Sequence, residues 1–188
     1  LSVKASGDIT SQGNHIATGD VHLTGGDINL AGSNTQGSRV KTTARTGMNT
    51  SKATITATDT LSLSSADGVL DNTAGNLRGG VLEIDAKQLI NTDGKLTQTG
   101  KQDLSLALAE GIDNTRGEIA SNSDNLTINT NLLNNSSGKI IHAGQVTANT
   151  SNLSINADSV NNTAGEILSL GAQTWQIVED IDNTAGVV

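Results

Sequence analysis

Hydrophobic residues recur at every second position in short blocks along most of the chain. Leu104, Leu106 and Leu108, for example, are separated by single small or polar residues. A period of two places alternate side chains on opposite faces of a β-strand, whereas a helix repeats about every 3.6 residues. Thr, Ser, Asn and Gly are dense between the blocks, which disfavours helix. The pattern predicts short strands, and the further blocks are Leu82/Ile84/Ala86, Leu126/Ile128, Leu153/Ile155/Ala157 and Trp175/Ile177.

A second motif, apolar-x-Asn-x-x-Gly-x-apolar, alternates with these blocks and occurs six times. Successive motif asparagines are 19, 23, 21, 27 and 21 residues apart, so the unit has about 21 residues and tolerates insertions. Two or three short strands joined by tight turns make one coil of a solenoid. We therefore predict an all-β chain folded as a parallel β-helix. The motif residues are Asn72, Asn91, Asn114, Asn135, Asn162 and Asn183, with Gly75, Gly94, Gly117, Gly138, Gly165 and Gly186.

The parity of the motif predicts where its asparagine points. Leu89 and Asn91 share a strand face, so if Leu89 points into the coil, Asn91 does too. A buried amide needs partners, and the equivalent Asn one coil away, at about 4.8 Å, can supply them. The Gly three positions later suits a corner with positive φ. We predict an internal ladder of Asn/Gly turns; the alternative is an exposed Asn in ordinary turn chemistry.

Residues 1–60 carry a variant of this organisation, and residues 61–188 carry the regular repeat, within one continuous solenoid. Gly19-Asp20-Val21 and Gly26-Asp27-Ile28 open short alternating strands, but the Asn-Gly corner is absent. The alternation lapses over 37–52, and we predict an irregular loop, hairpin or transition there. This segment is either a solvated basic loop or a contact site for an acidic partner, formed by Arg39, Lys41, Arg45 and Lys52.

Composition fits a narrow coil. The 188 residues include no Pro and no Cys, and Trp175 is the single aromatic residue. Missing Pro suits a fold in which nearly every strand is central, and few aromatic rings suit an interior of medium side chains. The lack of Cys excludes a disulfide framework and a thiolate metal site. We place Trp175 in the core, with an exposed ligand platform as the alternative.

The charge is uneven along the chain. The net charge is −8: residues 1–60 have five basic and four acidic groups (+1), and residues 61–188 have six and fifteen (−9). An acidic surface without aromatic platforms is a poor nucleic-acid binder. No stretch approaches the roughly 20 apolar residues of a membrane span. The chain begins at Leu1 without a signal-peptide pattern, so we expect a section of a longer polypeptide.

No residue set predicts catalysis. One repeat position holds outward carboxylates at Asp71, Asp113 and Asp182, but other residue types interrupt this column. A solvated acidic stripe is therefore favoured over the paired carboxylates of a polysaccharide-active enzyme. Nucleotide-binding and hydrolase motifs are absent, so we predict no catalytic residues and no cofactor. The three histidines lack companions at ligand spacing, so we expect exposed side chains and no metal at His15, His22 and His142.

The tandem turns of the LDNTAGNL type, followed by strands such as LEIDA, LTINT and LSINA, resemble the haemagglutinin repeats of two-partner secretion exoproteins. That family includes filamentous haemagglutinins and contact-dependent growth inhibition effectors. The resemblance covers at least Leu61 to Val188. It implies a right-handed parallel β-helix, export through an outer-membrane transporter partner, and a filament at the surface of a Gram-negative bacterium. No motif assigns transporter docking or toxicity to these residues.

These observations lead to one preferred function and two alternatives. We expect a rigid, non-catalytic stalk segment of a secreted surface exoprotein that presents an adhesive or toxin-delivery tip. The first alternative is an adhesin module that binds a cell-surface receptor or glycan. The second is a polysaccharide-active β-helix enzyme.

Overall fold

The structure, a computed structural model, describes residues 1–144 and 151–188; in these ranges it contains eighteen strands and no helix. The ladders between the strands are parallel. The strands are β1 Ser2–Lys4, β2 Ile9–Thr10, β3 Asn14–Ile16, β4 Val21–Gly25, β5 Ile28–Asn29, β6 Asn34–Ala44, β7 Met48–Asn49, β8 Thr54–Asp71, β9 Asn76–Ile90, β10 Lys95–Gln98, β11 Leu104–Leu108, β12 Gly111–Asp113, β13 Glu118–Ser121, β14 Asn125–Asn134, β15 Lys139–His142, β16 Asn152–Asn161, β17 Glu166–Ser169 and β18 Ala172–Asp182.

The strands stack into a solenoid of about eight turns with a spacing of about 21 residues. Each coil contributes to three sheet faces, which we name from one coil: face A contains residues 126–130, face B residues 132–134 and face C residues 139–142. Each face pairs with the same face of the neighbouring coils, except on face A between residues 81–86 and 104–108. The predicted all-β parallel β-helix is therefore confirmed.

The alternation seen in the sequence fills the interior of the coil. In successive coils of face A, Leu106 pairs with Ile128, and Ile128 pairs with Ile155. All three side chains are buried, while the residues before and after each one in its own strand point outward. Trp175 continues this column as the partner of Ile155 in the last coil and packs half-buried against the core. The core is thus a stack of medium aliphatic side chains, and Trp175 occupies the predicted core position.

The segment 37–52 is a regular part of the solenoid, so the prediction of an irregular loop was wrong. Strand β6 pairs with β4 and β8, and β7 pairs with β5 and β8. Val40, Thr42 and Ala44 are buried on face A, while Lys41 between them is exposed. The inward residues of this strand include a Thr and a small Ala, so hydropathy alternates only weakly along the sequence. The side chains nevertheless alternate fully between the inside and the outside of the coil.

Candidate functional site

The repeated motif forms a stack of identical β-turns between face B and face C. In the turn that starts at Asn114, the N–H of Gly117 donates to the carbonyl oxygen of Asn114 at 3.0 Å. The third residue, Arg116, has a φ of 53°, as expected at this position of a type II turn. Left-handed residues occupy the equivalent position of every motif turn: Ala74, Asp93, Arg116, Ser137, Ala164 and Ala185.

The motif asparagines form a hydrogen-bonded ladder inside the solenoid. Nδ2 of Asn114 donates to Oδ1 of Asn135 at 2.7 Å, to the carbonyl of Gly117 at 3.3 Å and to that of Lys139 at 3.1 Å, and Oδ1 of Asn114 accepts from Asn91 at 2.7 Å. The amide is fully buried and uses both donors and its acceptor. The same 2.7 Å step joins each successive pair of Asn72, Asn91, Asn114, Asn135, Asn162 and Asn183, and of these Asn183 alone, in the last coil, is exposed.

The motif glycines are required for close approach, and the prediction that they take a positive φ was wrong. The positive φ belongs to the residue before each glycine. A Cβ on Gly117 would overlap the carbonyl oxygen of Asn91 in the preceding coil, and it would lie 2.6 Å from Oδ1 of Asn114. Gly75, Gly94, Gly138, Gly165 and Gly186 meet the same pair of obstacles, a carbonyl of the preceding coil and the amide of their own turn. Glycine therefore accompanies asparagine because the carbonyl of the preceding coil and the amide of the same turn together occupy the place of a Cβ.

The turn continues into the N-terminal coils, where the sequence motif does not reveal it. Thr50 takes the place of Asn and Ala53 that of Gly, with the same 3.0 Å turn bond, and Lys52 has a φ of 55°. Thr50 Oγ1 donates to Oδ1 of Asn72 at 3.2 Å and so supplies the first donor of the ladder. Without an amide at position 50, a Cβ at Ala53 fits. The spacing of 22 residues to Asn72 is the sequence signal that locates this turn.

The outward Asp column has a structural role that the acidic-stripe interpretation missed. Oδ1 of Asp113 accepts from the backbone N–H of Thr115 at 3.0 Å and also from its hydroxyl. Asp71 and Asn161 cap their turns in the same way. The backbone bond from Thr184 lowers the pKa of Asp182. The Asx-x-Thr spacing is the local signal for such a cap.

The four basic residues of the predicted contact site do not project together from a loop. Arg39 makes a bidentate pair with Asp20 of the preceding coil, with Nη2–Oδ2 at 2.7 Å, and this pair lowers the pKa of Asp20. Lys41 is exposed on face A, Arg45 donates to the carbonyl of Ser6, and Lys52 lies in the turn described above. Arg39 and Lys41 share the outward side of β6, whereas Arg45 and Lys52 lie beyond its end, at a corner and in the turn.

The histidines occupy three different environments, and the expectation of exposure was wrong for His142. This residue is buried on face C, where Nε2 donates to the carbonyl of Ser123 at 2.9 Å and Nδ1 lies 3.1 Å from Oγ of Ser169. His15 is half-buried, and burial lowers its pKa. Within residues 1–144 and 151–188, no three His, Asp or Glu side chains are grouped so that they could hold a metal ion.

Three stretches of the chain match the haemagglutinin repeat family: residues 1–65, 64–106 and 98–174. Together they cover most of the 188 residues. Searches of curated proteins and of solved structures gave no significant match. In the described part of the chain, no helix has the length and apolar character needed to cross a bilayer.

Proposed function

Since the chain belongs to the haemagglutinin-repeat family, we propose that it is a rigid, non-catalytic stalk segment of a large secreted bacterial surface protein. The observation that carries this proposal is the asparagine ladder. Each amide from Asn72 to Asn162 is bound to the next coil, so the same contact is repeated along the axis and does not converge on one site. Such stacking gives length and stiffness without a large domain core.

The wider setting follows from the family. Haemagglutinin repeats imply two-partner secretion, in which an outer-membrane transporter exports the chain. We propose that the complete protein is displayed at the Gram-negative cell surface, where the stalk holds an adhesive or toxin-delivery tip away from the membrane.

The carboxylate column supports the non-catalytic part of the proposal. Asp71 and Asp113 each use one oxygen to cap a turn, and Ile90 separates them in the column. Most glycoside hydrolases use two carboxyl groups that face one scissile bond. An Asp113→Asn change should therefore leave any depolymerising activity of the complete protein unchanged, whereas its abolition would support the enzyme alternative.

Deletion of whole coils in the complete exoprotein tests the stalk. Removing residues 92–183 joins Asn91 to Thr184, which is equivalent to Thr92, and removes four coils. The filament should shorten by about 19 Å at about 4.8 Å per coil, measured by electron microscopy. Export and tip activity should be retained, because the deletion preserves the register of the ladder.

A matched deletion of residues 92–102 removes about half a coil and provides the control. It reverses which side chains point inward, so we expect loss of export or folding. The 188-residue segment alone should not bind target cells. Cell binding by the segment, or loss of tip activity in an exported whole-coil deletion, would contradict the stalk and favour the receptor- or glycan-binding adhesin.

A further inference from the structure

Face A contains a break in its sheet that the other two faces lack at the same level. Ladders join face A strands below this level, through β8 and β9, and above it, through β11 and β14. Within the described residues, no ladder joins residues 81–86 of β9 to residues 104–108 of β11, although the two strands remain packed neighbours. Face C stays paired at this level through Asn76–Gly79 and Lys95–Gln98, and face B through 88–90 and 111–113. We call this break the face A seam.

An enlarged corner accounts for the seam. In the lower coil, Leu82 follows the corner residue Gly79 by three positions. In the upper coil, Leu104 follows Gln98, the register partner of Gly79, by six positions. Gln98 turns its side chain inward, where Oε1 accepts the N–H of Leu82 at 2.9 Å and Nε2 donates to the carbonyl of Gln102. A side chain thus replaces one rung of the backbone ladder.

The inward residues on the lower side of the seam are slightly more exposed than those on its upper side. Leu82, Ile84 and Ala86 keep 4, 8 and 6% of their surface exposed, whereas their neighbours across the seam, Leu104, Leu106 and Leu108, keep 1, 0 and 0%. A groove of about 660 Å³ lies along this part of face A. Backbone groups that lack ladder partners bond to water, so they resist separation less than a closed ladder does.

We infer that the face A seam is a compliant joint, at which the solenoid flexes by opening face A while faces B and C stay paired. This goes beyond the proposed stalk function, because it gives the rod a built-in bending point and a bending direction. Between the backbone bonds that close its two ends, from Gly100 N–H to Gly80 and from Glu110 N–H to Lys87, the seam opens by breaking the bond of Leu82 to Gln98. Opening at any closed level of face A first breaks a whole backbone ladder.

A single buried thiol reports this opening, since the chain has no native cysteine. Ile84→Cys places the thiol beside the seam, and Ile128→Cys places it in the same column between two closed ladders. Under native conditions a thiol reagent should label the Ile84→Cys variant at least about tenfold faster than the Ile128→Cys variant. The labelling rate of Ile84→Cys should be nearly independent of urea at low concentrations. Equal labelling rates, with the urea dependence of global unfolding in both variants, would overturn the inference.

Amide hydrogen exchange tests the joint without altering the core. In the unmodified chain, the amides of Ile84 and Ala86, which point toward the seam on the same side as that of Leu82, should exchange at least about tenfold faster than those of Ile128 and Thr130. A disulfide between Glu83→Cys and Ser105→Cys, which crosses the seam, should remove most of this difference. The control disulfide between Ser105→Cys and Thr127→Cys, across a closed ladder, should leave it unchanged. Equal protection in the unmodified chain, or no response to the seam disulfide, would show that no joint exists.

Discussion

Nδ2 of Asn114 donates a 2.7 Å hydrogen bond to Oδ1 of Asn135, one coil further along the solenoid. The bond has the same polarity at every step from Asn72 to Asn183, so the amide dipoles align along the axis. Each amide therefore serves as acceptor for one neighbour and donor to the other. Loss of one member leaves two buried groups without partners.

Replacement of Asn114 by Leu should lower the free energy of unfolding by about 2–4 kcal/mol, because it leaves Nδ2 of Asn91 and Oδ1 of Asn135 unpaired inside the coil. Urea unfolding followed by circular dichroism measures the change. Asn76→Leu, at an exposed position of the adjacent strand, is the control and should change stability by less than about 0.5 kcal/mol. A loss below that size for Asn114→Leu would indicate a generic turn residue.

Gly117→Ala should destabilise the chain by about 1–3 kcal/mol, because the added Cβ overlaps the carbonyl oxygen of Asn91 and crowds Oδ1 of Asn114. The thermal unfolding midpoint reports this loss. Gly13→Ala places a Cβ where no atom lies within 4 Å, so its midpoint should remain close to that of the unmodified chain. Similar midpoints for both variants would mean that the turns can separate to admit a side chain.

Ala164→Gly should stabilise the chain by up to about 1 kcal/mol, since Ala164 has a left-handed φ of 51° that an L-residue adopts at a cost. The gain is limited by the larger backbone entropy of glycine in the unfolded chain. Ala107→Gly removes the side chain of an exposed strand residue and should instead destabilise by about 0.5–1 kcal/mol. Chemical denaturation of both variants provides the comparison, and a loss of stability in Ala164→Gly would contradict the strain argument.

The Asp93–Arg116 pair should make stability depend on acid pH. Two hydrogen bonds from Arg116 lower the pKa of Asp93 in the folded chain. Since the unfolded value is about 3.9, the folded chain binds fewer protons between the two pKa values. The contribution of the pair is therefore complete above about pH 4 and is lost as the pH falls through the folded pKa.

Carboxyl carbon NMR titration measures this effect directly. The midpoint of Asp93 should rise toward about 3.9 in an Arg116→Ala variant. The pair Asp20–Arg39 is the internal reference, because Asp20 has its own arginine partner and should keep its lowered pKa in that variant. An unchanged Asp93 midpoint would mean that the pair does not persist in solution.

Sequence parity and spacing were sufficient for the features that repeat. The position of Leu89 relative to Asn91 predicts a shared inward face, and the alternation around Trp175 predicts its core column. These are properties of a single strand, whose side chains alternate whatever lies beside it. The spacing of about 21 residues then predicts the coil, because repeated units stack in register while extra residues lie in loops.

Features that depend on the neighbouring coil could not be predicted in this way. The reason for Gly117 is an oxygen of Asn91, 26 positions earlier, and Arg39 is tied to Asp20 of the coil below. His142 lies inward two positions after Ile140, but its partners Ser123 and Ser169 belong to neighbouring coils. In each case the partner is distant in sequence, and hydropathy contains no information about it.

The sequence by itself therefore determined the strand period, the coil length and the inward side of each motif, since these follow from alternation and repetition along one chain. Only the tertiary structure decided that residues 37–52 complete a regular coil, that glycine makes room for an amide, and that Gln98 replaces a rung beside Leu82. Those outcomes depend on which atoms of adjacent coils compete for the same space, and stacking alone brings these atoms together.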